Sequence, residues 1–105
     1  MPITEPGYLA ISSPGGSKLS LVGGTIASAA TVAPVAFMTY ITGTAEIATI
    51  TLPYPAFSGK IVFIPEGAFT LANTGNIAVA ATAVADRAMV LFYSPAATKW
   101  YPSYV

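Results

Sequence analysis

The sequence contains no cysteine and no histidine, and only eight of its 105 residues are charged. Without cysteine there is no disulfide staple and no thiolate nucleophile, and the redox compartment is left open. Without histidine the commonest general base and the commonest transition-metal ligand are both missing. The four acidic and four basic residues are scattered and cancel to zero net charge. They form no basic stripe for nucleic acid and no polybasic cluster for an anionic membrane. A soluble domain ordinarily carries charge on roughly a quarter of its residues. Here the figure is 8%, and 27 consecutive residues between Lys18 and Glu46 carry none. Neutrality also removes the repulsion that keeps copies apart. The direct physical reading is that much of the surface lies against other protein in the working state, as in an assembly subunit.

A chain of this length is expected to fold as one domain, burying roughly 65% of the surface its unfolded form exposes. The apolar stretch Leu19–Phe37 is long enough to span a bilayer. Gly23, Gly24 and Pro34 interrupt it, however, and Ser20, Thr25, Ser28 and Thr31 dilute it, so no membrane span is expected. The N-terminus, Met1-Pro2-Ile3-Thr4-Glu5-Pro6-Gly7, has its first cation at Lys18 and lacks the opening of a signal peptide.

Residues 1–36 differ in texture from the rest. Pro2, Pro6, Pro14 and Pro34, with Gly7, Gly15, Gly16, Gly23 and Gly24, forbid long regular elements. Short apolar pieces survive between them, Tyr8-Leu9-Ala10-Ile11 and Leu19-Ser20-Leu21-Val22, each able to add a short strand to a sheet. This region reads either as an extended arm lying on neighbouring subunits or as edge strands folded back on the domain. In the first case Tyr8, Leu9, Ile11, Leu19 and Leu21 are interface residues.

From residue 37 to 105 strands alternate with breakers. Glu46 to Leu52 alternates faces, and Pro53-Tyr54-Pro55 must end it, since neither proline donates to a ladder. Lys60-Ile61-Val62-Phe63-Ile64 and Met89-Val90-Leu91-Phe92-Tyr93 are apolar on both faces, so both faces should be covered by protein. Ala78–Ala88 holds six alanines, but Thr82 and Val84 count against a helix and an extended or irregular link is expected. Ser94–Thr98 reads as a five-residue hairpin loop, with Lys99-Trp100-Tyr101 returning and Pro102 as the stop. Seven or eight short strands indicate an all-β fold, a small β-sandwich or a partly open barrel preceded by the Pro/Gly-rich arm. Nothing follows the rhythm of a βαβ unit. The only internal echo, between the Ile47 and Ile77 regions, is too weak for a solenoid.

No catalytic constellation emerges. Glu46, Glu66 and Asp86 are spaced by twenty residues each, which suits turns better than a glycosidase pair. The same carboxylates show no Asp-x-Asp pattern for calcium, and Ser17-Lys18 lacks the setting of a nucleophile. The chain is therefore read as a non-enzyme with no cofactor, metal or nucleic-acid partner. Asp86-Arg87 is either a solvated pair at a bend or a donor through which Arg87 reaches a neighbouring subunit's carboxylate. In the terminal aromatic group, Phe92 and Trp100 are assigned to the core, with Trp100 across from Tyr93. Tyr101 and Tyr104 are open to a partner protein or a sugar ring.

Ile-Thr-Gly-Thr at 41–44, Phe-Ser-Gly-Lys-Ile at 57–61, Phe-Ile-Pro-Glu-Gly-Ala-Phe at 63–69, Gly-Asn-Ile-Ala at 75–78 and Lys-Trp-Tyr-Pro-Ser-Tyr at 99–104 together resemble a small module of tailed-bacteriophage virion proteins. The resemblance spans about two-thirds of the chain and rests on framework residues. With no long shaft or second domain, the chain is most similar to a capsid decoration (cement) protein. That resemblance implies a homotrimer on the outer surface of the virion, bound to the major capsid protein. The alternative it leaves is a tail-associated or receptor-binding module that holds host glycans on exposed Tyr and Trp.

Overall fold

A computed structural model of the chain describes residues 19–105, so Tyr8, Leu9 and Ile11 lie outside the described residues. The described residues form ten strands and no helix: β1 (Ser20–Ala27), β2 (Thr31–Val32), β3 (Ala36–Thr42), β4 (Glu46–Ile47), β5 (Thr49–Ile50), β6 (Gly59–Pro65), β7 (Thr70–Leu71), β8 (Ala81–Thr82), β9 (Met89–Ser94) and β10 (Lys99–Pro102). The fold is all-β, as the alternation and the density of breakers require. The Ala78–Ala88 stretch is extended and irregular around β8, with Asp86 turning through a φ of 67°. The β9–β10 hairpin pairs Ser94 directly with Lys99 and takes Pro102 into the last rung opposite Leu91. Its loop is thus one residue shorter than expected, and the proline ends the strand from inside it.

The strands make three sheets that do not close into a barrel: a five-stranded sheet in the order β1-β3-β6-β9-β10, a pair β2-β5, and a trio β4-β7-β8. Hairpin-built β folds are antiparallel. Here β1–β3, β3–β6, β2–β5 and β4–β7 are parallel, and only β6–β9, β9–β10 and β7–β8 are antiparallel. After β3 the chain passes through β4 and β5 in the two smaller sheets and returns as β6 beside β3. Met38 then pairs with Val62, and Glu46 with Thr70. Both steps are 24 residues (62 − 38 and 70 − 46). The other parallel pairs step by 16 residues (Ser20 to Ala36, 36 − 20) and 18 residues (Thr31 to Thr49, 49 − 31), so the winding is not a regular repeat. Ile47 stacks on Leu71, while Ile77 bridges to Trp100.

Successive turns of the chain stack at a corner where side chains are small for a reason. Gly43, at a φ of 83°, lies under Ser28, whose Oγ accepts the Ala45 N–H at 3.0 Å. A Cβ on Gly67 would sit 2.6 Å from the Gly43 carbonyl oxygen, closer than Cβ atoms come to a non-bonded neighbour. The stacked turns enclose one core. Ile41, Ile61, Phe63, Met89, Leu91 and Trp100 from the large sheet meet Val32, Ile47, Ile50, Phe57, Phe69, Leu71 and Ile77 from the rest. Trp100 is fully buried between Phe57 and Tyr93, with ring centroids at 5.8 and 5.0 Å, and donates its Nε1–H to the Ile50 carbonyl at 3.0 Å.

Candidate assembly face

Side chains alternate across a strand, and directly paired residues share a face. In the five-stranded sheet, Ile41, Ile61, Phe63, Met89, Leu91 and Trp100 point to the core. The residues between them build three rows on the opposite face. The first is Val22–Met38–Val62–Val90, the second Thr25–Tyr40–Ile64, and the third Lys60–Phe92–Tyr101. Apart from Thr25 and Lys60 every member is apolar or aromatic. None belongs to the core cluster, or to the residues packed on its rim (Leu19, Ile26, Leu52, Tyr54, Tyr93 and Tyr104). Val22 is 51% exposed, Phe92 48% and Tyr101 43%, while Met38, Tyr40, Val62, Ile64 and Val90 are half-buried by one another.

This face corrects one expectation: Phe92, assigned from sequence to the core, stands on the open side beside Tyr101. The runs 60–64 and 89–93 turn one side to the core, and both smaller sheets pack there, so no other described strand lies over the opposite side.

The rows carry one cation, Lys60, and no anion. Lys99, at the hairpin end, instead places its ammonium on the Gly75 carbonyl at 3.0 Å. The face thus has apolar area, three exposed anchors and almost no charge to oppose a partner.

The other residues singled out from sequence fall as follows. Leu19 packs on the rim of the core, and Leu21 is exposed on β1. Arg87 and Tyr104 find each other: the guanidinium carbon lies 4.3 Å from the Tyr104 ring centroid. The Tyr104 hydroxyl donates to the Arg87 carbonyl at 2.9 Å and accepts the Val84 N–H at 3.1 Å. Tyr104 is therefore bound into its own chain, and Tyr101 is the terminal tyrosine that faces outward. Trp100, fully buried, is removed from any exposed sugar platform.

Glu46 lies in an open groove of about 460 Å³ with Thr70, Leu71, Ala81, Thr82 and Val105, and its lining includes no second acidic side chain. Among the described residues no three carboxylates gather in a metal-binding group. Met38, Tyr40, Val62, Ile64 and Val90 were not singled out from sequence. The signal for them was present in the two doubly apolar runs and in the uncharged stretch before Glu46. Comparison with family models, with curated proteins and with solved structures finds no match to this chain.

Proposed function

We propose that this chain is a structural protein of a bacteriophage virion, of the capsid decoration type, seated on the major capsid protein by the outer face of its five-stranded sheet. The observation that carries the reading is the row structure of that face: apolar, nearly uncharged and uncovered by any other strand of the described chain. A contact of ordinary size buries about 800 Å² on each partner. At about 25 cal/mol/Å² that is on the order of 20 kcal/mol per partner before association entropy and side-chain ordering are subtracted. Contacts of this kind repeated over a shell reinforce it without any chemistry. The phage assignment itself comes from the resemblance of residues 41–104. Electron cryomicroscopy of the particle tests it: density for the chain over junctions of the shell supports the reading, and its absence from the head refutes it.

A second reading has one specific observation in its favour. Phe92 and Tyr101 are cross-strand neighbours, both exposed, with Lys60 beside Phe92. Two adjacent rings and an ammonium suit a sugar ring with an acidic substituent, as in a tail-associated glycan-binding module. A glycan array separates the two. Selective sugar binding lost in Tyr101→Ala favours this reading, and a blank array favours the shell contact.

A further inference from the structure

Lys60 is the one charged residue in the three rows of the outer face, and register fixes its place there. It pairs with Phe92, which pairs with Tyr101, so the three stand in one line across β6, β9 and β10. Two residues along β6, Val62 belongs to the aliphatic row Val22–Met38–Val62–Val90. Lys60 is exposed, as Phe92 and Tyr101 are. The other cations of the described residues are held by their own chain. Lys99 donates to the Gly75 carbonyl, and Arg87 lies over the Tyr104 ring. The Lys60 ammonium takes part in no ion pair or hydrogen bond among the described residues. On its own strand the next acidic residue is Glu66, past the end of β6 and about 20 Å away at the rise of a strand.

In water a solvated ammonium at this position costs nothing. In a contact it does. A partner that covers Phe92 also covers the residue directly paired with it, about 5 Å away between Cβ atoms. An ammonium taken out of water without a counter-charge loses solvation that valines and aromatic rings do not return. A second requirement comes from the rest of the face. Apolar burial has no direction, so rows of Val, Met and Ile set no register by themselves, whereas one charge pair at the end of those rows does.

We propose that the protein surface seated on this face presents a carboxylate to Lys60: an Asp or Glu side chain at the margin of an apolar patch that covers Phe92 and Tyr101. This rests on the seating proposed above and adds the chemistry of the partner to it. The acid belongs to a protein and not to a sugar because the Lys60 row continues into the aliphatic row of Val62, Val90 and Met38, an area well beyond one sugar ring. Charge complementarity of this kind selects the partner and its orientation more than it adds affinity.

Co-sedimentation of the full chain with phage shells built from the proposed major capsid partner, over a concentration series, compares the wild type with Lys60→Met and Lys60→Arg. Lys60→Met removes the charge, keeps most of the stem and adds apolar surface, so the sign of its effect is decisive. Opposite a carboxylate it leaves that group unpaired, and the dissociation constant rises about tenfold or more. Lys60→Arg keeps the charge and is expected to bind far better than Lys60→Met. The position is exposed, so both variants should melt with the wild type. A Lys60→Met chain that binds shells as tightly as the wild type, or more tightly, overturns the carboxylate while the seating stands. A wild type that never pellets overturns both. Acidic glycans held on an array by the wild type and lost by Lys60→Met also overturn it, in favour of a sugar acid. So does a wild-type dimer formed without shells and abolished by Lys60→Met, which makes a second copy the source of the acid.

Discussion

The side-chain amide of Asn76 holds both backbone groups of Ile50: its Oδ1 accepts the Ile50 N–H at 2.9 Å and its Nδ2 donates to the Ile50 carbonyl at 2.8 Å. One side chain thus completes the ladder on the side of β5 that faces away from β2, and the same carbonyl also takes the Trp100 indole. Asn76→Ala leaves the Ile50 N–H without that partner in a part-buried position. The expected loss is about 2–3 kcal/mol, one net hydrogen bond plus the desolvation of an orphaned donor. Urea denaturation reads it. Asn76→Asp keeps the acceptor and loses the donor, so it too should destabilise the fold.

Gly75 shows the same stacking from the backbone side. A Cβ there would collide with the Ala48 carbonyl oxygen and crowd the Thr49 hydroxyl. Gly75→Ala forces two backbone segments apart, and a cost of about 1–3 kcal/mol is expected, as for overpacking elsewhere. Gly24→Ala, by contrast, should leave the monomer's denaturation midpoint unchanged or raised. The pair measured together separates glycines that packing demands from the one it does not.

Thr39 is 2% exposed, and its hydroxyl has no hydrogen-bond partner among the described residues. Thr39→Val removes an unpaired polar atom and keeps the shape. Stability should rise by about 1 kcal/mol, the lower end of the cost of a buried unsatisfied group. A midpoint that falls in urea would mean that the hydroxyl has a role in the native state.

Tyr104 ties the end of the chain to the Val84–Arg87 bend through its hydroxyl and its ring. Tyr104→Phe loses two hydrogen bonds and keeps the ring under Arg87, with an expected cost of about 1–2 kcal/mol. Arg87→Ala loses the cation–π contact alone, about 0.5–1 kcal/mol at an exposed site. Thermal denaturation ranks them, with Tyr104→Phe the more damaging.

The strands were legible in the sequence because their causes are local. Gly59 at a φ of 119° opens one and the pairing of Trp100 with Tyr93 follows from a short hairpin, whereas the strand expected over Glu46–Leu52 is split into β4 and β5 of different sheets and stops at Ile50, before Pro53. The winding was not legible. Over its 24-residue step the matched residues are few, Gly43 with Gly67, Ile47 with Leu71 and Ala48 with Ala72, because only the corner and one inward row constrain residue type. The echo between the Ile47 and Ile77 regions corresponds to no pairing in the fold, where Ile47 lies beside Leu71 and Ile77 beside Trp100. Of the assembly face, the doubly apolar runs were readable but their outcome was not. Whether Phe92 is core or surface depends on a second layer over the sheet, which no described strand supplies and no local pattern encodes.

The most direct test of the proposed function is co-sedimentation of the full chain with empty phage shells built from the proposed major capsid partner, wild type against the double variant Phe92→Lys/Tyr101→Lys. Both positions are exposed, so the variant should fold with an unchanged melting temperature. If the outer sheet face is the contact, the wild type pellets with the shells and the variant stays in the supernatant. A folded variant that pellets as completely as the wild type, or a wild type that never does, would contradict it.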